Sequence, residues 1–307
     1  MTKKKVNKTE TKKSFLGEFY KKNYKKLMII PMILFILSII SIISTYNNEG
    51  NPIYRDVSLK GGLSVTLKTD SNIQVEDLNQ KLLELYPEKS FAISITTDGG
   101  KNTGFIIDAD ITGEEEEVFK KNLETVFLEK FESGESYNSN FISPTLSNAF
   151  FRQAIIALLV SFIFMSAVVF LYFRKPVPSG AVVLSAIFDI IVTIGILDLF
   201  KIKISVAGIG AIVMLVGYSI DTDVLLTNRL IKEEGTNYFQ KTFLALKTGS
   251  LMSFTTLMAG VVAMNVTNSP VIYEIALILV IGLLVDYIST WLQNSGILLW
   301  WLEKTEK

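Results

Sequence analysis

The 307-residue chain contains no cysteine and no histidine. Without cysteine there can be no disulfide, no CxxC redox pair and no thiolate nucleophile. Without histidine a Ser-His-Asp triad is excluded, and the two absences together exclude a Cys/His zinc site. A P-loop and a nucleophile elbow are missing as well, so we expect neither an enzyme nor a bound cofactor or metal. Any proton chemistry has to run through carboxylates, lysine, tyrosine or water.

Long apolar runs dominate what is present. Hydrophobic residues make up 49% of the chain, and six stretches approach or exceed the ~20 residues that cross a hydrocarbon core. These predicted spans are residues 27–45, 150–173, 180–198, 204–228, 248–267 and 271–301. The first span follows a lysine-rich start, as a signal peptide would. However, it is longer than an h-region and no small-residue cleavage site follows Ile43, so we expect a retained anchor.

The distribution of basic residues predicts the orientation of the spans. Residues 1–26 carry ten lysines, which keeps the N-terminus in the cytoplasm under the positive-inside rule and favours contact with anionic membrane lipid. Six crossings then return the tail, residues 303–307, to the cytoplasm. The sequence therefore predicts a multi-pass protein of the cytoplasmic membrane, in which residues 149–302 form the second to sixth spans.

One polar insert, residues 46–148, lies outside the membrane in this arrangement. It holds 18 acidic and nine basic residues, a net charge of −9. Its pattern predicts alternating strands and helices, with a bulge at Gly61-Gly62 and a helix cap at Thr112. The predicted elements are a strand at 53–68, a helix at 75–86, a hairpin of 89–97 and 103–109 around residues 98–100, a helix at 114–131 and a strand at 136–143. This β-α-β-β-α-β order predicts a ferredoxin-like α+β ectodomain between the first two spans.

Apart from Asp198, which ends the third span near an interface, four aspartates lie within the predicted spans, although an ionised side chain at mid-bilayer costs ~2.5–3.5 kcal/mol on insertion scales. They are Asp189 in the third span, Asp221 and Asp223 in the fourth, and Asp286 in the sixth. Their helices carry polar or small residues at helical spacing. The fourth-span stripe comprises Ala207, Gly210 or Ala211, Met214, Gly217 or Tyr218, Asp221 and Leu225, and the sixth-span stripe comprises Gly282, Asp286, Ser289 or Thr290, and Gln293.

Two interpretations of these acids remain open. In the structural one, protonated or hydrogen-bonded aspartates join the helices. In the functional one, acids on facing stripes form an ion or proton path. The sequence places no Lys or Arg in mid-membrane to neutralise them, so at least one is expected to be protonated or to face a water-filled crevice.

Particular motifs carry a resemblance to a known family. The fourth span closes with Gly217-Tyr218-Ser219-Ile220-Asp221-Thr222-Asp223, and the sixth contains the stretch from Asp286 to Gly296. The fifth contains Lys247-Thr248-Gly249, and the ectodomain contains Leu59-Lys60-Gly61-Gly62. Together with six spans and one ectodomain, these motifs resemble the SecD/SecF family of protein-export membrane proteins, which is related to RND transporters. The chain is most similar to archaeal members of the SecF type.

The resemblance implies an RND-like half that pairs with SecD into a twelve-span unit beside the SecYE channel. Such a unit promotes late export of unfolded polypeptide, using the proton gradient, and involves no nucleic acid. Bacterial members commonly read Gly-Tyr-Ser-x-Asn-Asp-Thr, which puts Thr222 at the acid associated with proton coupling. Asp221 and Asp223 flank it on different helical faces, and with Asp189 and Asp286 they complete the candidate path.

The second candidate function is that of a half-size RND-type transporter of small molecules or lipids that acts as a homodimer. Such a transporter needs a substrate pocket and usually two large ectodomains, whereas this chain has one, residues 46–148. A co-purifying six-span protein with its own ectodomain would discriminate between the two.

Overall fold

The computed structural model describes residues 15–71, 73–87, 89, 91–98, 101–232, 237–267 and 269–305. In chain order its elements are α1 (Phe15–Leu27), α2 (Ile29–Glu49), α3 (Val57–Lys60), β1 (Gly62–Lys68), α4 (Val75–Leu85), β2 (Phe91–Asp98), β3 (Lys101–Ala109), α5 (Glu116–Phe127), β4 (Tyr137–Ile142), α6 (Pro144–Phe173), α7 (Pro176–Leu199), α8 (Val206–Lys232), α9 (Tyr238–Val266), α10 (Pro270–Ile288), a π-helix (Ser289–Asn294) and α11 (Ser295–Thr305). The first half of the basic N-terminus, the turn at 99–100 and the last two residues lie outside the described residues.

Six helices of the described chain are long and apolar enough to cross a membrane, which confirms the predicted number of spans. They are α2, α6, α7, α8, α9 and the continuous run from α10 to α11. In the most apolar segment of each helix, 56% of the residues of α7 and 50% of those of α8 are buried within the chain, against 11% or less in α2, α6 and α9. The centre of the bundle is therefore formed by α7 and α8, with the sixth span packed against both.

Small residues allow the central helices to approach closely. A Cβ on Gly195 of α7 would lie 2.6 Å from the Cα of Ser38 on α2. Similarly, a Cβ on Gly282 of α10 would lie 2.3 Å from the Leu215 side chain of α8. Such contacts between helix backbones are typical of membrane bundles, where no hydrophobic driving force favours association of one apolar helix with another.

The insert folds as the predicted ferredoxin-like domain. Its four strands form one antiparallel sheet in the order β2-β3-β1-β4. Residues from β1, β3, α4 and α5 form one hydrophobic core. They are Leu63, Val65 and Leu67 on β1, Phe105 and Ile107 on β3, Leu78 and Leu82 on α4, and Phe119 and Leu123 on α5. The predicted cap is confirmed as well, since the Thr112 hydroxyl and the Glu115 side chain form a capping box before α5. The predicted helix end at residue 131 was wrong, because Leu128 takes a left-handed conformation and ends α5.

The predicted strand 53–68 was wrong in its first part. Residues 57–60 form the short helix α3, and β1 begins only at Gly62. Gly61, at φ +90°, turns the chain where a Cβ would lie 2.7 Å from the Pro144 backbone at the start of α6. Before this turn, the amide of Asp56 donates to the carbonyl of Ile204 across 3.0 Å. The chain that leaves the first span is therefore bonded to the loop between α7 and α8 instead of to the sheet.

Candidate functional site

Three of the four predicted acids meet in the centre of the bundle. Asp189 on α7, Asp223 on α8 and Asp286 on α10 are each at most 1% exposed. Two serine hydroxyls, from Ser219 on α8 and Ser289 on the π-helix, donate to the two oxygens of Asp189 at 2.5 Å each. The Asp189 carboxyl thus links three of the spans.

The other two acids are linked through a shared hydroxyl. Thr290 Oγ1 lies 2.9 Å from Asp223 Oδ1 and 3.2 Å from Asp286 Oδ1. Because a hydroxyl has one proton, Thr290 donates to one acid at a time. Thr222 Oγ1 lies 3.2 Å from Asp286 Oδ2, and the Asn294 amide donates to Asp223 Oδ1 across 2.7 Å. We call these three acids and their five donors (Ser219, Thr222, Ser289, Thr290 and Asn294) the acid network.

A π-helical turn positions three of the five donors. The amide of Ser295 donates to the carbonyl of Thr290, a spacing of five residues where an α-helix has four. The extra residue in the turn shifts the helix register, so that Asn294, and not the predicted Gln293, reaches Asp223. Turns of this type are rare and occur frequently at functional sites. Unbroken α-helical spacing places Gln293 on the polar stripe, so the role of Asn294 was not predicted from the sequence.

The acid network has no basic member. Every hydrogen bond that the three carboxyls accept from the described residues comes from a hydroxyl or an amide. Asp223 Oδ2 and Asn294 Oδ1 are buried and accept no hydrogen bond within the described chain. In that same part of the chain, no group of three or more acidic side chains is arranged to hold a metal ion. An acid of this network that carries a proton can itself donate to a neighbouring hydroxyl.

Asp221 does not join the acid network. It lies on the opposite side of α8 from Asp223, on a face that the rest of the chain leaves exposed. Tyr218 on this face is 40% exposed, and a Cβ on Gly217 would meet no atom of the described residues within 4 Å. The small-residue stripe predicted for the fourth span thus faces outward, while Thr222 and Asp223 face the core. Gly61 and Gly62 lie at the junction of the ectodomain with the bundle.

The amino-acid sequence of this chain is similar to those of known membrane proteins. Residues 122–304 match the family described as protein export membrane protein SecD/SecF, C-terminal. The SecF protein of Methanocaldococcus jannaschii is 33% identical over 286 residues, which cover 92% of this chain and 96% of that protein. The SecF protein of Methanothermobacter thermautotrophicus is 35% identical over 290 residues, covering 92% and 94%.

The chain belongs to the SecD/SecF family. Membership confirms the resemblance predicted from the fourth-span motif. Among solved structures, SecDF of Thermus thermophilus superposes with a TM-score of 0.72 at 19% identity, covering 92% of this chain and 38% of the SecDF chain. A second form of SecDF matches with a TM-score of 0.62. This SecD/SecF member thus shares the SecDF fold and spans little more than a third of the SecDF chain.

Proposed function

We propose that this chain is the SecF-type auxiliary subunit of the Sec protein-export machinery, acting with SecD beside the SecYE channel in the cytoplasmic membrane. The observation that carries the proposal is its likeness to archaeal SecF proteins over more than nine-tenths of both chains. The solved SecDF chain is more than twice as long as the part that this chain matches. A second subunit of similar architecture accounts for the remainder.

The outward face of α8 is the surface we assign to SecD. It presents Gly210, Gly217 and Tyr218 together with the carboxylate of Asp221. An acid facing lipid is costly, whereas an acid facing a second protein can be paired. A Cβ on either glycine would meet nothing within 4 Å in the part of the chain that the structure describes, so both positions are open for close approach by another helix.

We propose that the acid network couples export to the proton gradient. Three negative charges held in one buried network without a basic partner would be costly, so at least one acid carries a proton. Asp223 takes the coupling role here, while Thr222, at the position of the bacterial acid, supports Asp286. The Thr290 hydroxyl can rotate to donate either to Asp223 or to Asp286. The network therefore has two hydrogen-bond arrangements, and a coupled conformational change requires at least two states.

The ectodomain is the part we assign to the exported chain. Strands β2 and β4 are the two edges of its sheet, and an extended polypeptide can pair with such an edge through its backbone, independently of sequence. With both termini in the cytoplasm, this domain lies on the outer side, where an exported chain emerges. Because residues 54–56 are bonded to the loop between α7 and α8, a shift of α7 or α8 would move the base of the domain.

The experiment that tests the proposal is gentle detergent extraction of the tagged chain from its native membrane, followed by mass spectrometry of proteins bound in whole-number stoichiometry. We expect a second six-span protein with its own ectodomain at one to one, and translocon subunits in smaller amounts. Recovery of a homodimer alone would contradict the proposal and would favour the small-molecule or lipid transporter. A truncation of residues 46–148 that still supports full export would contradict the assigned role of the ectodomain.

A further inference from the structure

The helix that precedes the first span reaches the π-helix. Tyr20 on α1 places its hydroxyl 3.0 Å from the carbonyl oxygen of Trp291 and 2.6 Å from Ser295 Oγ. Ser295 Oγ also lies 2.5 Å from the same carbonyl. Two hydroxyls have two protons between them, so one donates to the carbonyl and the other donates to its fellow hydroxyl. Either arrangement fastens α1 to the π-helical turn.

Each of the two residues that Tyr20 contacts directly follows, in the sequence, a residue that contacts Asp223. Trp291 follows Thr290, and Ser295 follows Asn294. Thr290 and Asn294 are the two donors to Asp223 Oδ1, at 2.9 Å and 2.7 Å. The same turn is therefore held by Tyr20 on one face and contacts the acid on another. One turn of backbone therefore joins the contact with α1 to the contact with Asp223.

We propose that Tyr20 is a positioning residue for the acid network, holding the π-helical turn in the geometry in which Thr290 and Asn294 donate to Asp223. The position of α1 on the cytoplasmic side then sets how readily Asp223 releases its proton. The inference rests on the proposed function of Asp223 in proton coupling, and it adds a control point outside the membrane-spanning part of the chain.

Two further observations support the role of Tyr20. Burial raises the pKa of its hydroxyl to about 12, so the group remains protonated and able to donate at any physiological pH. In addition, a Cβ on Gly296 would lie 2.6 Å from the Met28 side chain. The start of the first span is thus packed against the residues that follow the turn.

The neighbouring tyrosine provides a matched control. The Tyr24 hydroxyl, one helical turn further along α1, donates to Glu303 Oε2 on α11 across 2.6 Å. Tyr24→Phe and Tyr20→Phe each remove one hydroxyl that fastens α1 to the sixth span. Only Tyr20→Phe removes a contact with the π-helix.

The test is a pH titration of the protonated-carboxyl infrared band of the full-length protein in its membrane, the Asp223 band being assigned by its loss in Asp223→Asn. Donors to an ionised carboxylate favour release of its proton. We therefore expect Tyr20→Phe to move the midpoint upward by about one pH unit, the scale of a weakened hydrogen bond to a charged group, while Tyr24→Phe leaves it in place.

A midpoint that is unchanged in Tyr20→Phe, or equal shifts in the two variants, would overturn the inference. If Tyr20→Phe fails to accumulate, Tyr20→Met removes the same hydroxyl and is judged by the same criterion, since Ser295→Ala would leave the contact of Tyr20 with the Trp291 carbonyl in place. The proposed function is tested separately: normal proton-driven export by Asp223→Asn would overturn that proposal, and the comparison of the tyrosine variants would still be readable.

Discussion

Asn294 donates its side-chain amide to Asp223 across 2.7 Å, joining the sixth membrane-spanning helix to the fourth. Four residues earlier, Thr290 contacts the same oxygen and also approaches Asp286. An acid held by two donors from one turn responds to any change in that turn. The proposed proton coupling therefore depends on the geometry of the π-helix in the sixth span as well as on the three acids.

The turn at Gly61 can be tested by adding one methyl group. We expect Gly61→Ala to lower the free energy of unfolding by about 2–4 kcal/mol, because φ of +90° is strained for alanine and the Cβ would meet the Pro144 backbone at 2.7 Å. Gly50→Ala is the control, since φ is also positive there but none of the described residues comes within 4 Å of the Cβ position, so its cost is about 1 kcal/mol. Thermal unfolding of the purified protein measures both, and equal losses would contradict the assignment of Gly61 to a tight junction.

The outward face of α8 can be tested at Gly217. A Cβ there would lie more than 4 Å from any atom of the described residues outside its own helix turn, so we expect Gly217→Leu to keep the wild-type unfolding temperature. We expect the amount of SecD that co-purifies to fall about tenfold, equivalent to a loss of ~1.4 kcal/mol of association. Gly180→Leu, at another open position, should leave co-purification unchanged. Normal recovery of SecD with Gly217→Leu would place the partner on a different face.

Asp108 on β3 should make the ectodomain less stable as pH rises. Burial, with a further contribution from Asp56, raises the pKa of this carboxyl to about 6. The folded chain therefore binds more protons than the unfolded chain between about pH 4 and pH 6, and its stability decreases over that window. A rise of this size in the pKa corresponds to a loss of about 2–3 kcal/mol in the free energy of unfolding. We expect Asp108→Asn to raise the unfolding temperature at pH 7.5 and to leave it unchanged at pH 4; an equal effect at both values would contradict the raised pKa.

Much of the fold could be predicted from the sequence because its signals are local. Six apolar runs of sufficient length have few alternatives to membrane helices, and the capping box at Thr112 specifies a helix start directly. The segment 53–56 was mistaken for part of the sheet because its alternation is real, but its partner is the distant Ile204 and not the sheet. No local pattern reveals which of two possible partners a short extended segment will take.

The acid network could be predicted only in part, for two physical reasons. Helical spacing shows that Asp221 and Asp223 lie on different faces, but it does not show which face the chain itself covers and which it leaves to a partner. Small residues favour close packing in either case, so the stripe ending at Asp221 carried no information on that choice. The π-helical turn leaves no compositional trace, and it decides that Asn294 rather than Gln293 reaches the acid.

The most direct test of the account compares two neighbouring acids. Protein export is measured with and without the proton gradient in cells carrying Asp223→Asn or Asp221→Asn, at equal levels of the complex with SecD, because Asp221 lies on the surface assigned to SecD. We expect Asp223→Asn to abolish the stimulation by the gradient and to lower gradient-driven export about tenfold or more, the scale of a lost proton-transfer group. Asp221→Asn should keep the ratio of the two rates at its wild-type value. Wild-type stimulation in Asp223→Asn would contradict the central claim that the acid network couples export to protons.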